Sequence, residues 1–121
     1  MNMAESLSAG DFLVYQLESA FALLRLLCVD EVGDSNVWHL AAYSDFFPDI
    51  ESAEAALARP EQLTKMLDHA ALTTRAFEST QSARLLNFPL SEADLRPLED
   101  WRESDERRVF DTSIRLLTGF R

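Results

Sequence analysis

The feature that most constrains the fold is a pair of apolar runs near the start of the chain, DFLVYQL and FALLRLLCV, which are apolar on every face. Some of their apolar residues recur at spacings of three and four, but Val14, Leu23 and Leu26 would cover the other faces of such a helix. A helix that is apolar all round must be buried on all sides, which is hard to achieve in 121 residues. We therefore predict strands at 11–18 and 20–30, with helix over 11–29 as the alternative.

A third apolar run, VWHLAAY, follows the turn-forming segment GDSN at 33–36. Glycine adopts a positive φ without strain, and aspartate and asparagine side chains bond their own backbone. These properties predict a β-hairpin with a four-residue loop, in which Asp30 lies opposite His39 and Val29 opposite Leu40. Residues 1–47 are then expected to form a strand-rich, twisted antiparallel meander.

The second half of the chain indicates mostly short helices. The alanine- and glutamate-rich residues 50–58 predict a helix capped by Ser44 or Asp49. Residues 61–68 predict a second short helix, and the threonines and phenylalanine of 70–79 favour one further strand.

A third helix is predicted by SEAD at 91–94, which matches a capping box. Its Leu95, Leu98 and Trp101 recur at three-residue steps and share one face. The segment LLNFPL just before it predicts a bend, and 105–121 is left open between a strand and a closing helix. The whole pattern predicts one α+β domain over 1–121. Its N-terminal half is expected to be a twisted antiparallel sheet, in the form of an SH3-like barrel, and 48–121 is expected to be mostly helical.

The formal charge is −10, and no basic residue lies between Arg25 and Arg59. The acids in that interval are Asp30, Glu31, Asp34, Asp45, Asp49, Glu51 and Glu54. Such a field repels nucleic acid, whose binding depends on neutralising phosphates with lysine and arginine. It attracts basic proteins and speeds their encounter. We predict a basic protein partner and no nucleic-acid partner, with a solubilising surface as the alternative.

Candidate binding residues combine these acids with side chains of the third run. They are Asp30, Glu31, Asp34, Trp38, His39, Asp45, Asp49 and Glu51. Further aromatic residues are Tyr43, Phe46, Phe47 and Trp101. Interface centres favour tryptophan and tyrosine with charges at the rim, which predicts an aromatic anchor patch beside the acids. The alternative is that these aromatic side chains fill the core.

The residue types give only one constellation suited to chemistry. His39, facing Asp30 or Glu31 across the hairpin, would suit an acid–base or metal-binding site, and a structural histidine is the alternative. The acids at 30–34 lack the alternate spacing of a calcium loop, and no G-x-S-x-G turn or glycine-rich phosphate loop occurs. Cys28 lies in an apolar run, which indicates core packing. We expect no catalytic residue, metal or cofactor.

Expectations for the compartment rest on what the sequence lacks. Its longest apolar run is interrupted by Arg25, so we expect no membrane association. The segment MNMAESLSAG has no basic region followed by a long apolar one, which argues against a signal peptide. A single cysteine cannot form an internal disulfide, so a reducing cytoplasm is expected.

The segment GDFLVYQLESAFALLRLL resembles the opening of small bacterial immunity proteins with an SH3-like sheet. The matching residues are Gly10, Asp11 and Arg25, and the turn at 18–20 departs from the glycine of that pattern. The resemblance covers about the first 30 residues and implies a protein that binds and blocks a toxin. We therefore predict a non-catalytic acidic binding module of immunity or inhibitor type. The alternatives are a small enzyme or metal-binding domain centred on His39, and a structural subunit of a homo-oligomer.

Overall fold

The computed structural model describes residues 7–121. The strands found there are β1 (Asp11–Gln16), β2 (Phe21–Val32), β3 (Ser35–Phe47), β4 (Lys65–Thr73) and β5 (Ser82–Asn87). The helices are α1 (Ile50–Ala56), α2 (Thr74–Glu78), α3 (Glu92–Glu103) and α4 (Ile114–Thr118), with a 3₁₀ turn at Pro60–Gln62. No helix in this described part is long and apolar enough to cross a membrane. The expectation about a signal peptide concerns a segment that lies mostly outside the described residues.

The strands form one antiparallel sheet in the spatial order β4-β3-β2-β1-β5. β1 and β2 confirm that the first two apolar runs are strands, and the α+β class is confirmed. The sheet of the described residues is open, with β4 and β5 as its edges, so an SH3-like barrel is not confirmed.

Helices cover both faces of the sheet, which explains why its strands are apolar on both sides. On one face, Phe12 and Leu23 pack against α1, and Leu27 packs against Leu98 of α3. We call this the α1/α3 face. On the opposite face, a larger cluster of β-strand residues packs against α2 and α4, including Phe77 and Ile114. Strands buried on both faces have no polar side to alternate with the apolar one.

The hairpin of β2 and β3 is tighter than the sequence predicts. Val32 pairs with Ser35, so the loop contains two residues, and Gly33 at its first position has a φ of 62°. Consequently Asp30 pairs with Val37 and not with His39. The predicted register was wrong by two residues. Because side chains alternate with a period of two, this error keeps Asp30 and His39 on the same face.

The structure corrects two elements of the second half. Residues 61–68 were expected to be helical, but β4 begins at Lys65 and ends at Thr73, where α2 replaces the rest of the predicted strand. The segment 85–90 was expected to be a bend, but β5 occupies Ser82–Asn87. Pairing with β3 and β1 overrides the weak local preferences of these two edge strands.

The predicted helix starts are confirmed. The Asp49 carboxylate accepts a hydrogen bond from the Ser52 amide (2.7 Å) and so caps α1. Ser91 and Asp94 form the reciprocal capping box of α3. The segment 105–121 contains parts of both predicted alternatives, strand and helix. Phe110 forms an isolated β-bridge with Leu72, and the helix α4 follows it.

Candidate functional site

The cluster richest in chemistry lies under α3 on the α1/α3 face. Cys28 and Asp30 reach it from β2, His39 from β3 and His69 from β4. Cys28 pairs with His39 across the ladder, and Asp30 lies two residues further along the same face of β2. Sequence reasoning brought Asp30 and His39 together but missed His69, because the residues just before it, 61–68, were expected to form a helix and not part of β4.

A chain of hydrogen bonds links these side chains. The Asp30 Oδ2 atom lies 2.9 Å from His39 Nε2, and His39 Nδ1 lies 2.9 Å from His69 Nε2. A carboxylate only accepts hydrogen bonds, so the network assigns the proton of His39 to Nε2. His39 Nδ1 then accepts from the Nε2–H group of His69. Arg102 of α3 completes the chain by donating to Asp30 Oδ1 at 2.8 Å.

Burial keeps both imidazoles neutral at neutral pH. His39 is completely buried, and this burial lowers its pKa although the Asp30 carboxylate opposes the shift. Burial, followed by the charges of His39 and Arg102, lowers the pKa of His69 to about 4. Burial alone would raise the pKa of Asp30, but its hydrogen bonds and positive neighbours hold that pKa below its ordinary value.

Trp101 of α3 packs against both histidines of the cluster. Its ring centroid lies 4.9 Å from that of His39, edge-on, and 5.6 Å from that of His69. The indole Nε1–H group donates to the Arg108 carbonyl oxygen at 3.0 Å. Cys28 lies at the rim, where burial and the nearby Asp30 raise the pKa of its thiol. Trp101 is therefore a lid over the histidine pair and not an exposed anchor.

This arrangement supports a structural role better than a catalytic one. Both ring nitrogens of His39 are engaged, so the residue has no lone pair to offer a substrate or a metal ion. Four cavities of about 200 to 680 Å³ among residues 7–121 are lined by other residues and not by Asp30, His39 or His69. Within the same range, no group of three or more His, Cys, Asp and Glu residues is arranged to hold a metal ion. The network instead docks α3 on the sheet.

The other candidate acids do not form one surface. Glu31 and Asp34 are exposed at the tip of the β2–β3 hairpin. Asp45, Asp49 and Glu51 lie near the opposite end of β3, whose 13 residues span roughly 40 Å. Of these, Asp45 accepts a hydrogen bond from the Thr64 amide at 2.7 Å, and Asp49 caps α1, so both have local structural roles.

The expected aromatic patch is divided in the same way. Trp38 is 4% exposed, stacks on Phe77 at a centroid distance of 4.2 Å and donates to the Thr74 hydroxyl group. It is a core residue, as the alternative interpretation held. Tyr43 is also buried, whereas Phe46 is 50% exposed at the far end of β3 and contacts Phe120.

Sequence reasoning missed the contribution of α3 to the hairpin end. The Arg102–Asp30 ion pair holds the C-terminal end of α3 against β2, and Asp30 directly precedes Glu31, so we group the exposed acids of the hairpin tip and of 99–106 as one surface. We call this surface the acidic end; its residues are Glu31, Asp34, Glu99, Glu103, Asp105 and Glu106. The acid-rich run EDWRESDE was the sequence signal that could have indicated this surface. Its place near the hairpin depends on the Arg102–Asp30 contact, which joins residues 72 positions apart.

No protein-family model matches the sequence, and comparisons with curated proteins and with solved structures also produced no match.

Proposed function

We propose that the chain is a non-catalytic protein-binding module that holds a basic partner at the acidic end. The observation that supports this most is the state of its carboxylates. All six are exposed, and none forms an ion pair within the described residues. By contrast, Asp30, Asp94 and Asp111 are each paired with a basic side chain. The acidic end is thus free to meet a partner's cations.

The chemistry of this surface fits an interface. Val32 is 60% exposed at the hairpin tip, which provides an apolar contact within the ring of acids. Of the basic residues near the end of α3, Arg102 is already neutralised by Asp30, so Arg107 and Arg108 oppose the six acids. A surface of one predominant sign steers an oppositely charged protein and disfavours nucleic acid.

The resemblance to immunity proteins supplies the kind of partner in this proposal, which is a basic toxin that the chain binds and blocks. The residues that carry the resemblance are in mutual contact, because Arg25 Nε donates to the Gly10 carbonyl oxygen at 3.2 Å. They support the sheet and do not belong to the acidic end. Cys28 is a free thiol, which supports a reducing compartment such as the cytoplasm.

The proposal is tested with two variants of equal charge. The acidic-end variant carries Glu31→Gln, Asp34→Asn and Glu103→Gln. The far-end variant carries Glu18→Gln, Glu51→Gln and Glu54→Gln, which are exposed acids near the opposite end of the sheet. Each form is immobilised and incubated with extract of the source cells, and the retained proteins are quantified by mass spectrometry.

We expect a basic protein to be retained by the wild-type chain and by the far-end variant, and to be lost from the acidic-end variant. Its affinity for the wild-type chain should fall steeply between low and physiological salt, since the attraction depends on charge. Retention of the same partner by both variants, without a salt dependence, would show that the acidic end is not the interface.

A second candidate function, a homo-oligomer subunit, is favoured by an apolar patch at the far end. Leu116 is 75% exposed and lines a shallow cavity with Phe120, which in turn contacts the half-exposed Phe46. Exposed apolar patches often mark interfaces. Sedimentation at several concentrations tests this: a dimer that dissociates in a Leu116→Glu variant supports it, and a monomer at every concentration contradicts it.

A further inference from the structure

A cavity of about 680 Å³ opens on the α1/α3 face, between the cluster under α1 and the cluster under α3. Arg25 and Tyr43 line it from the sheet, and Lys65 lines it from the start of β4. The opposite wall includes Phe88 and Asp94, from the loop that enters α3 and from its first turn. The volume lies in the range of small-molecule sites, roughly 300 to 1,000 Å³. This cavity is remote from the acidic end and plays no part in the proposed function.

The floor of the cavity holds a buried cation. Arg25 is only 4% exposed. Its Nε atom donates to the Gly10 carbonyl oxygen, and its Nη2 atom donates to those of Phe88 (2.7 Å) and Pro89 (3.3 Å). Its Nη1 atom lies 3.7 Å from the Asp94 carboxylate, which is longer than a hydrogen bond. Since Arg25 lines the cavity, its Nη1 group can donate to an acceptor that enters there.

A second cation lies beside the same carboxylate. The Lys65 Nζ atom is 3.6 Å from Asp94 Oδ1, again longer than a hydrogen bond. Asp94 Oδ2 is held instead by the Ser91 amide at 2.9 Å, as part of the capping box. One carboxylate thus stands near two cations and is tightly bonded to neither.

The other walls are mixed: the exposed Glu61 and Thr64 and the capping Ser91 line them together with apolar side chains. Pro60 and Leu63 line one side of the cavity, and Phe88 and Pro89 line the other. Tyr43 lies at the floor, and burial raises the pKa of its hydroxyl group although the charge of Arg25 opposes the shift, so the hydroxyl is a neutral donor. A ligand that fits these surroundings has one anionic group at the cations and an apolar body between the prolines, Leu63 and Phe88.

We propose that this cavity is a binding site for a small organic monocarboxylate with an apolar body. The carboxylate accepts hydrogen bonds from Arg25 Nη1 and from Lys65 Nζ, which suits the preference of guanidinium groups for carboxylates. The apolar body displaces water from the walls formed by Leu63 and Phe88.

The test is an NMR titration of the folded full chain with benzoate, using benzamide as a neutral control of the same shape. We expect saturable shifts in the amide signals of 63–65 and 88–94, with a dissociation constant in the millimolar range, as for other ligands of this size. Benzamide should bind at least about tenfold more weakly, because it lacks the charge that Arg25 and Lys65 would meet.

Variants separate a specific site from general attraction. Lys65→Gln should weaken benzoate binding about fivefold to tenfold, whereas Arg96→Gln, which removes an exposed charge of α3 outside the cavity, should leave it unchanged. Arg25→Lys should abolish binding, and its one-dimensional NMR spectrum shows whether it is folded. Three results would overturn the proposal: benzoate binding that does not saturate, benzamide binding as strong as that of benzoate, or equal effects of the Lys65 and Arg96 variants. Each of these results would leave the acidic-end proposal untouched.

Discussion

At the scale of the residue, His69 shows how burial lowers the pKa of an imidazole. Its pKa in the folded chain is about 4, against an ordinary value of 6.5. Between these values the unfolded chain binds more protons than the folded chain, so the free energy of unfolding falls as the pH falls through this window. The contribution of His69 is complete above pH 6.5. The folded pKa of Asp30 is also lowered. Its contribution to the free energy of unfolding is therefore lost only as the pH falls below its ordinary value of 3.8.

We predict that replacing His69 with glutamine flattens this pH dependence. Glutamine keeps a hydrogen-bond donor for His39 but does not titrate, so the difference in unfolding free energy between wild type and variant should shrink as the pH is lowered from 6.5 to 4. Urea unfolding at several pH values measures this difference. Parallel pH profiles for the two proteins would show that His69 does not titrate in this window.

A second prediction at this scale concerns two glycines with positive φ. Gly10 has a φ of 96°, and a Cβ atom there would lie 2.6 Å from the Phe88 carbonyl oxygen. Gly33 has a φ of 62° and open space around it. Gly10→Ala should therefore cost at least about 2 kcal/mol of stability, and Gly33→Ala only about 1 kcal/mol. Equal losses in urea unfolding would argue against the close approach of the chain at Gly10.

At the scale of the element, α3 is held on the sheet by few but specific contacts. Leu98 enters an apolar cluster with Leu27, Arg102 pairs with Asp30, and Trp101 covers both histidines. This docking helps to bury His39, covers His69 in part and positions the acidic end. The helix therefore connects the interior of the sheet to the surface proposed for the partner.

We predict that Trp101→Ala raises the pKa of His69 from about 4 toward its ordinary value of 6.5, because burial is the largest cause of the shift. NMR titration of the imidazole signals measures it. Arg96→Ala, an exposed change on the same helix, serves as the control and should leave the pKa unchanged. An unaltered pKa in the Trp101 variant would mean that α3 does not shield the pair.

The elements also show how far the sequence determined the fold. β1, β2 and the helix caps were predictable because their signals are local: apolar runs, a glycine turn and a capping box. The Asp30–His39 contact survived an error in register because the error was even. The predicted strand at 70–79 overlaps β4 only at its end, and β5 was missed, because each of these strands pairs with only one neighbour at an edge of the sheet. Such pairing is not encoded in a short window of sequence.

At the scale of the whole molecule, the distribution of charge was only half predictable. The lack of bases between Arg25 and Arg59 is plain in the sequence, but the sheet separates those acids toward its two ends. Arg102, which lies far along the chain, neutralises Asp30, and the acids close to Arg102 in sequence are thereby held at the same end of the sheet. Long-range contacts of this kind decide which charges share a surface, and composition does not reveal them.

The most direct measurement of the central claim is an NMR titration of the full chain with a lysine-rich peptide at low salt. The account predicts that amide shifts concentrate at 31–34 and 99–106, weaken as salt is added and disappear in the acidic-end variant, while the far-end variant behaves like wild type. Shifts centred on α1, or spread evenly over the surface and lost equally in both variants, would contradict it.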